Sequence, residues 1–127
     1  MPTLALIAHD QKKDALVDFC KRHREHLAKL SLMATGTTGA RIAQATNLPV
    51  ECVLSGPLGG DAQIAARVAT KHVCGVIFIV DPLYAHPHEP DIQSLQRVCN
   101  VHDIPLATNL ATAEIVIKEL VERTAKA

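Results

Sequence analysis

Five short apolar runs recur along the chain, and a segment with helical periodicity follows each of them. The clearest run, 74–80 (CGVIFIV), is continuous and rich in β-branched residues, which is typical of the buried centre of a parallel sheet. The predicted strands are Thr3–Ala8, Ser31–Ala34, Glu51–Leu54, Cys74–Val80 and Pro105–Thr108. Because alternating strands and helices form sheets covered on both faces, the pattern predicts an α/β fold: three layers with a five-stranded, mostly parallel, Rossmann-like sheet.

The segments between the runs are amphipathic at helical spacing, with apolar residues gathered on one face of each predicted helix. The predicted helices extend from about Lys12 to Leu30, through Ile42 and Ala45, through Ile64 and Ala69, from Asp91 to His102, and from Thr112 to Ala125. With 127 residues, of which 48% are hydrophobic, the chain is long enough for one core and too short for two. The sequence therefore predicts a single domain.

Charge and hydropathy exclude two classes of partner. The 13 basic residues balance the 13 acidic ones, so the chain has no basic field for nucleic acid or an anionic membrane. No apolar run approaches the roughly 20 residues that a membrane span requires. The chain begins almost directly with a strand-like run and has no basic leader, which indicates a cytoplasmic protein.

The four cysteines are scattered at positions 20, 52, 74 and 99, without a Cys-x-x-Cys spacing. Each lies in or beside an apolar segment, which predicts buried free thiols in a reducing compartment. A disulfide framework is not expected.

Polar residues follow every predicted strand. They are His9, Asp10 and Lys13 after the first strand; Thr35–Gly39 (the threonine loop) after the second; Ser55–Asp61 (the glycine loop) after the third; Asp81, His86, His88 and Asp91 after the fourth; and Thr108 and Asn109 after the fifth. Open parallel sheets bind ligands outside the carboxyl ends of their strands. The distribution therefore predicts one site at this edge of the sheet.

The threonine loop has two interpretations. It is either a tight turn with a threonine N-cap, or an anion site built from hydroxyls and backbone N–H groups at a helix N-terminus. It lacks the Gly-Lys-Ser/Thr ending of a P-loop, and no Gly-x-Gly-x-x-Gly follows the first strand, so a small phosphoester fits better than a nucleotide. Lys13 is either the balancing cation or a solvated surface residue.

Carboxylates and histidines near the loops have similarly open roles. Asp61 ends the glycine loop, either as the N-cap of the next helix or as a functional carboxylate. His86-x-His88-x-x-Asp91, with His9 and Asp10, has a composition suited to zinc or manganese. The alternative is a pair of loop histidines stiffened by proline, with Asp91 as an N-cap.

Five blocks, taken together, resemble the methylglyoxal synthase family: AHDQKK (8–13), ATGTTG (34–39), LSGPLGGD (54–61), DPLYAHPHEPD (81–91) and PLATNLATA (105–113). The resemblance follows the same order along nearly the whole chain, which implies that residues 1–127 form a single methylglyoxal synthase-like domain. It implies a carbon–oxygen lyase of a glycolytic bypass that converts dihydroxyacetone phosphate to methylglyoxal and inorganic phosphate. It further implies no metal or other cofactor, assembly as a homohexamer, and phosphate as both product and candidate inhibitor.

The resemblance also implies roles for individual residues. Asp61 matches the catalytic base, His88 the histidine that polarises the substrate carbonyl, and Asp91 an auxiliary catalytic aspartate. The substrate-binding positions are His9, Lys13, Thr35, Gly36, Thr37, Thr38, Ser55, Gly56 and His88.

Two other functions compete with this one. The same fold resembles the regulatory domain of carbamoyl-phosphate synthetase, in which a similar pocket binds allosteric effectors without catalysis. A metal-dependent phosphohydrolase that uses His9, Asp10, His86, His88 and Asp91 is the second alternative.

Overall fold

The computed structural model describes residues 2–83 and 92–126. Its strands are β1 (Thr3–Ala8), β2 (Ser31–Thr35), β3 (Val50–Val53), β4 (Gly75–Ile79) and β5 (Leu106–Ala107). Its helices are α1 (Lys13–Arg22), α2 (Arg24–Leu27), α3 (Gly36–Thr46), α4 (Gly60–Ala69), α5 (Ile92–His102) and α6 (Leu110–Lys126), with 3₁₀ turns at Asp10–Lys12 and Gly56–Leu58. In the part of the chain that the structure describes, none of these helices has the length and apolarity needed to cross a membrane.

The five strands form one sheet in the order β3-β2-β1-β4-β5, and every neighbouring pair is parallel. The predicted α/β fold with a five-stranded parallel sheet is therefore confirmed. Strand β1 lies at the centre, with Leu4 aligned between Leu32 of β2 and Gly75 of β4. The strand order reverses direction at the β1–β4 pair, and such a switch point opens a crevice at the carboxyl ends of the strands.

The core lies on both faces of the sheet because side chains along a strand alternate between its two sides. From β1, Leu4, Leu6 and Ala8 join a cluster with residues of α1, α3 and α6. Ala5 and Ile7 join the second cluster, with residues of α4 and α5. Residues 4–8 are all apolar because neither face of this strand meets solvent, and each fully buried Leu or Ile contributes roughly 1.5–3 kcal/mol.

Several predicted boundaries differ from the observed ones. The first helix, predicted over about Lys12–Leu30, is divided at His23, where the backbone leaves helical angles (φ −109°, ψ 25°). Backbone hydrogen bonds from His23 to Phe19 and from Leu27 to His23 continue through this point, so the division is a kink. Strand β5 has only two residues instead of the predicted four, although the carbonyls of Pro105 and Thr108 on either side of it still accept hydrogen bonds from the N–H groups of Val76 and Val80.

The prediction that all four cysteines are buried is wrong for Cys52 and only partly right for Cys74. Cys20 and Cys99 are buried and Cys74 is half-buried, whereas Cys52 is exposed. Cys52 lies on β3, the other edge strand, and the side chains of β3 are at most partly covered. Burial raises the pKa of the Cys20 thiol to about 12 and that of Cys99 to about 11.

The thiols should therefore react at very different rates. Because the thiolate is the nucleophile, we expect a disulfide reagent at pH 8 to modify Cys52 first, and Cys20 and Cys99 only when the protein unfolds. Absorbance of the released thiol measures this, and Cys52→Ser should remove the fast phase. Rapid modification of Cys20 in the folded protein would contradict the predicted order.

Candidate functional site

A cleft of about 50 Å³ lies where β1, β2 and β3 end. Its lining residues are the last residues of β1 and β2 and residues of the segments that follow the three strands: Ala8, Asp10, Lys13, Thr35, Gly36, Thr37, Thr38, Ser55, Gly56 and Pro57. Seven of them belong to the predicted substrate-binding set, and they come from three segments well separated in sequence. The parallel arrangement explains the gathering, since it brings the carboxyl ends of neighbouring strands to one edge.

The threonine loop is the start of helix α3. Thr35 occupies the N-cap position with an extended backbone, and its side chain makes no capping hydrogen bond. The interpretation of Thr35 as an N-cap is therefore right about its position, but its side chain does not make the hydrogen bond that a capping threonine usually makes. The first N–H groups of a helix have no acceptor within the helix, and together with the helix dipole they favour a bound anion.

Direct backbone contact joins the threonine loop to the glycine loop. Gly36 has a left-handed backbone (φ +45°), and a Cβ placed on it would lie 2.9 Å from Cβ of Ser55 and 3.0 Å from its Cα. A side chain at Gly36 would meet both backbone strain and a steric clash. The two loops can close one wall of the cleft only with glycine at this position.

The glycine loop folds back on its own first residue. The Ser55 carbonyl accepts hydrogen bonds from the N–H groups of Leu58 (3.0 Å) and Gly60 (2.9 Å). Helix α4 starts at Gly60, and Gly59 is its N-cap. The interpretation of Asp61 as the N-cap is therefore wrong, because Asp61 is the second residue of the helix. Its half-buried carboxylate still lies in the first turn, where the helix dipole stabilises negative charge.

One cation and one carboxylate line the cleft together. The Lys13 ammonium lies 2.9 Å from Oδ1 of Asp10, and the Lys13 side chain is 27% exposed against 72% for Asp10. Asp10 was predicted as one of the polar residues at this edge of the sheet and as a member of the metal-site alternative, but not as a substrate-binding residue. The pairing of Asp10 with Lys13 could have been predicted from their spacing, because side chains three residues apart at the start of a helical segment lie on one face. Pro57 is a second lining residue that the sequence did not single out.

His9 lies beside the cleft, between the lining residues Ala8 and Asp10, and is not itself one of the lining residues. It is 7% exposed, and its ring packs edge-on against Phe78 with centroids 5.2 Å apart. Its Nδ1 accepts a hydrogen bond from the backbone N–H of Asp81 at 2.9 Å. An accepting Nδ1 carries no proton, so the neutral ring must hold its proton on Nε2 and present a donor there.

The remaining predicted residues, His86, His88 and Asp91, lie outside the described residues. Among residues 2–83 and 92–126, no group of three or more His, Cys, Asp or Glu side chains is arranged to hold a metal ion. The Nδ1 atom of His9 already accepts the Asp81 N–H, so only its Nε2 is left for any other bond.

Comparison with known proteins identifies relatives along nearly the whole chain. Residues 15–108 match the family model described as MGS-like domain. A methylglyoxal synthase of Thermus thermophilus is 66% identical over 117 residues, covering 92% of this chain and 93% of the relative. A methylglyoxal synthase of Cupriavidus metallidurans is 59% identical, covering 94% of this chain and 85% of that protein.

A solved structure agrees with the sequence relatives. The crystal structure of a methylglyoxal synthase from Elizabethkingia anophelis NUHP1 superimposes with a TM-score of 0.88 at 43% sequence identity. The match covers 91% of this chain and 76% of that one. The three comparisons thus agree on both the sequence family and the fold.

The tautomer of His9 can be measured directly. In ¹⁵N-labelled protein we expect the neutral ring of His9 to show an unprotonated Nδ1 and a protonated Nε2, because Nδ1 accepts the Asp81 N–H. Two-bond ¹H–¹⁵N correlation spectra distinguish the two nitrogens. His72 is the comparison, because its Nδ1 lies 2.9 Å from the Thr70 hydroxyl, which can donate or accept. A proton on Nδ1 of His9 would contradict the assignment.

Proposed function

The chain belongs to the methylglyoxal synthase family, and we propose that it converts dihydroxyacetone phosphate to methylglyoxal and inorganic phosphate. This makes it a carbon–oxygen lyase acting on a phosphate ester. The family resemblance also underlies the proposals of a homohexamer, a cytoplasmic location and a role in a glycolytic bypass.

The observation that carries the proposal is the composition of the cleft. It combines the Lys13 ammonium with threonine and serine hydroxyls and with the first turn of α3. Each of these groups favours a phosphate oxygen, and the small volume suits one phosphoryl group better than a nucleotide. Asp61 follows at the other end of the glycine loop, one residue beyond the Gly60 N–H that bonds to Ser55.

The first proposed step is proton abstraction. A proton on carbon beside a ketone is only weakly acidic, so a carboxylate removes it only if the developing enediolate is stabilised. The Asp61 carboxylate accepts this proton, and the electron pair of the broken C–H bond forms the carbon–carbon double bond of the enediolate. The neutral Nε2–H of His9 is a candidate donor to a substrate oxygen.

The second proposed step is elimination. The carbon–oxygen bond to phosphate breaks when it lies out of the enediolate plane, because its orbital then overlaps the π system. The electron pair of this bond leaves with the phosphate, while the hydroxyl group on the carbon that lost its proton gives up its own proton and becomes the aldehyde. The remaining enolate takes up one proton on its terminal carbon and becomes methylglyoxal. Lys13 and the hydroxyls of Thr37 and Ser55 hold the phosphate in this orientation and stabilise the departing dianion.

Two further roles rest on the family resemblance, since their residues lie outside the described part of the chain. His88 polarises the substrate carbonyl and moves hydroxyl protons, and Asp91 assists catalysis. The proposed reaction requires a hydrogen-bond donor such as histidine beside the substrate oxygen, since the negative charge of the enediolate develops on that oxygen.

Turnover of dihydroxyacetone phosphate tests the proposal. Chelator-treated protein should release methylglyoxal and phosphate in equal amounts, and Asp61→Asn should lower kcat by about 10²- to 10⁴-fold, the usual contribution of a general base. Asp61→Asn should still bind a phosphorylated enediolate analogue, because the cleft residues are intact. Colorimetric assays for methylglyoxal and phosphate measure the rates, and calorimetry measures the binding.

Each other outcome identifies a different function. Phosphate binding without product would indicate an effector-binding module like the regulatory domain of carbamoyl-phosphate synthetase. Loss of activity with the chelator, restored by zinc or manganese, would indicate the metal-dependent phosphohydrolase. Near-normal turnover by Asp61→Asn would show that another group is the base.

Asp10 and Lys13 should act on phosphate binding in opposite directions. An exposed ion pair contributes only about 0–1 kcal/mol, so a dianionic phosphate can take Lys13 from Asp10. Lys13→Met should weaken phosphate binding by about tenfold or more, the loss of one charge-assisted hydrogen bond. Asp10→Asn should strengthen it by up to about fivefold, since it removes a competing negative charge. Titration calorimetry with inorganic phosphate measures both dissociation constants.

Asp14→Asn is the matched control for Asp10→Asn. It makes the same change in net charge one helical turn away, where Asp14 pairs with Arg41 of α3 and does not line the cleft. Its phosphate affinity should equal that of the unmodified protein. Equal effects of the two substitutions would mean that general charge, and not the position of Asp10, governs phosphate binding.

A further inference from the structure

We propose that Gln63 is a positioning residue for Asp61. Its side-chain amide ties the first turn of α4 to the end of β3 and thereby sets where the Asp61 carboxylate lies. The inference rests on the proposed function, because it concerns the residue proposed as the base.

The bond that carries the inference spans the glycine loop. The Oε1 atom of Gln63 accepts a hydrogen bond from the backbone N–H of Leu54 at 2.8 Å. Leu54 follows directly after β3, and Gln63 lies two residues after Asp61 in the first turn of α4. The side chain therefore connects the strand before the loop to the helix after it.

Leu54 makes a second contact with the start of α4, through Gly60. A Cβ placed on Gly60 would lie 1.8 Å from the Leu54 carbonyl oxygen, so the backbone of Gly60 packs directly on Leu54. Leu54 thus contacts Gly60 through its carbonyl and Gln63 through its N–H. Asp61 lies between these two residues in sequence, so both contacts restrict its backbone.

The glycine loop itself has little apolar burial. The Leu54 side chain is 51% exposed and that of Leu58 is 72% exposed, so the loop has few hydrophobic contacts with the core. A loop with three glycines is also intrinsically free to adopt many conformations. Ile64 and Val68 hold the body of α4 in the core, and the Gln63 bond adds a polar restraint at the first turn, where the loop joins the helix. Displacing a reacting group by about 1 Å can lower a rate by about 100-fold.

The test compares Gln63→Met with Gln63→Glu. Methionine has a similar length but lacks the carbonyl acceptor, and glutamate keeps an acceptor oxygen at the same reach. We expect Gln63→Met to lower kcat by about tenfold, with KM and the affinity for inorganic phosphate changed by less than about twofold. Gln63→Glu should recover most of the lost kcat. Gln63 is exposed, so the variants should fold.

The matched control is Gln44→Met, the same exchange at an exposed position of α3. It should leave kcat unchanged. An unchanged kcat in Gln63→Met, or an equal fall of kcat and phosphate affinity, would overturn the inference. The first result would make the bond irrelevant to catalysis, and the second would mean that Gln63 supports the whole cleft.

A readout without turnover separates this inference from the proposed function. Exchange of the Leu54 amide hydrogen should accelerate in Gln63→Met, and the ¹³C resonance of the Asp61 carboxyl should shift, because both depend on the same bond. If the unmodified protein had no turnover, the proposed function would fail. The exchange rate and the carboxyl resonance would still show whether Gln63 positions Asp61. Unchanged signals would overturn it.

Discussion

The structure depends on the parallel pairing of β1 with β2 on one side and β4 on the other. A parallel strand cannot be followed by a hairpin to its neighbour, so the chain crosses over a face of the sheet each time. Helices consequently cover both faces, and residues 4–8 must be apolar throughout. The same pairing aligns the ends of the strands, so the loops after β1, β2 and β3 meet at one edge.

Backbone contacts convert this alignment into a defined cleft. Gly36 packs on Ser55, and Gly60 packs on Leu54, each at a distance that leaves no room for a Cβ. The first contact joins the threonine loop to the glycine loop, and the second joins the glycine loop to the strand before it. Strand positions are therefore transmitted to the loops through close backbone contacts, which suits the proposed reaction, since that reaction requires a base at a definite place.

Positive and negative charges lie close together at the cleft. Lys13 and the start of α3 favour an anion, while the neighbouring Asp10 carboxylate opposes one. For the proposed reaction, which would release phosphate as a product, an anion site of limited affinity is an advantage, because tight binding of the product would slow the next cycle. The exposed position of Asp10 suits this purpose, since its effect on Lys13 is small and reversible.

The fold and the membership of the cleft could be predicted from sequence because hydrophobic periodicity sets the element types, and parallel pairing sets which ends meet. Seven predicted residues line the cleft for this reason. Three features depend on how separate segments pack together, and the sequence did not predict them. They are the exposure of Cys52, the hydrogen bond from Asp81 that selects the tautomer of His9, and the hydrogen bond from Leu54 to Gln63. Sequence alone determined which chemical groups reach the edge of the sheet. The tertiary structure alone decided which atoms of those groups bond to one another, because such bonds depend on distances of a few tenths of an ångström.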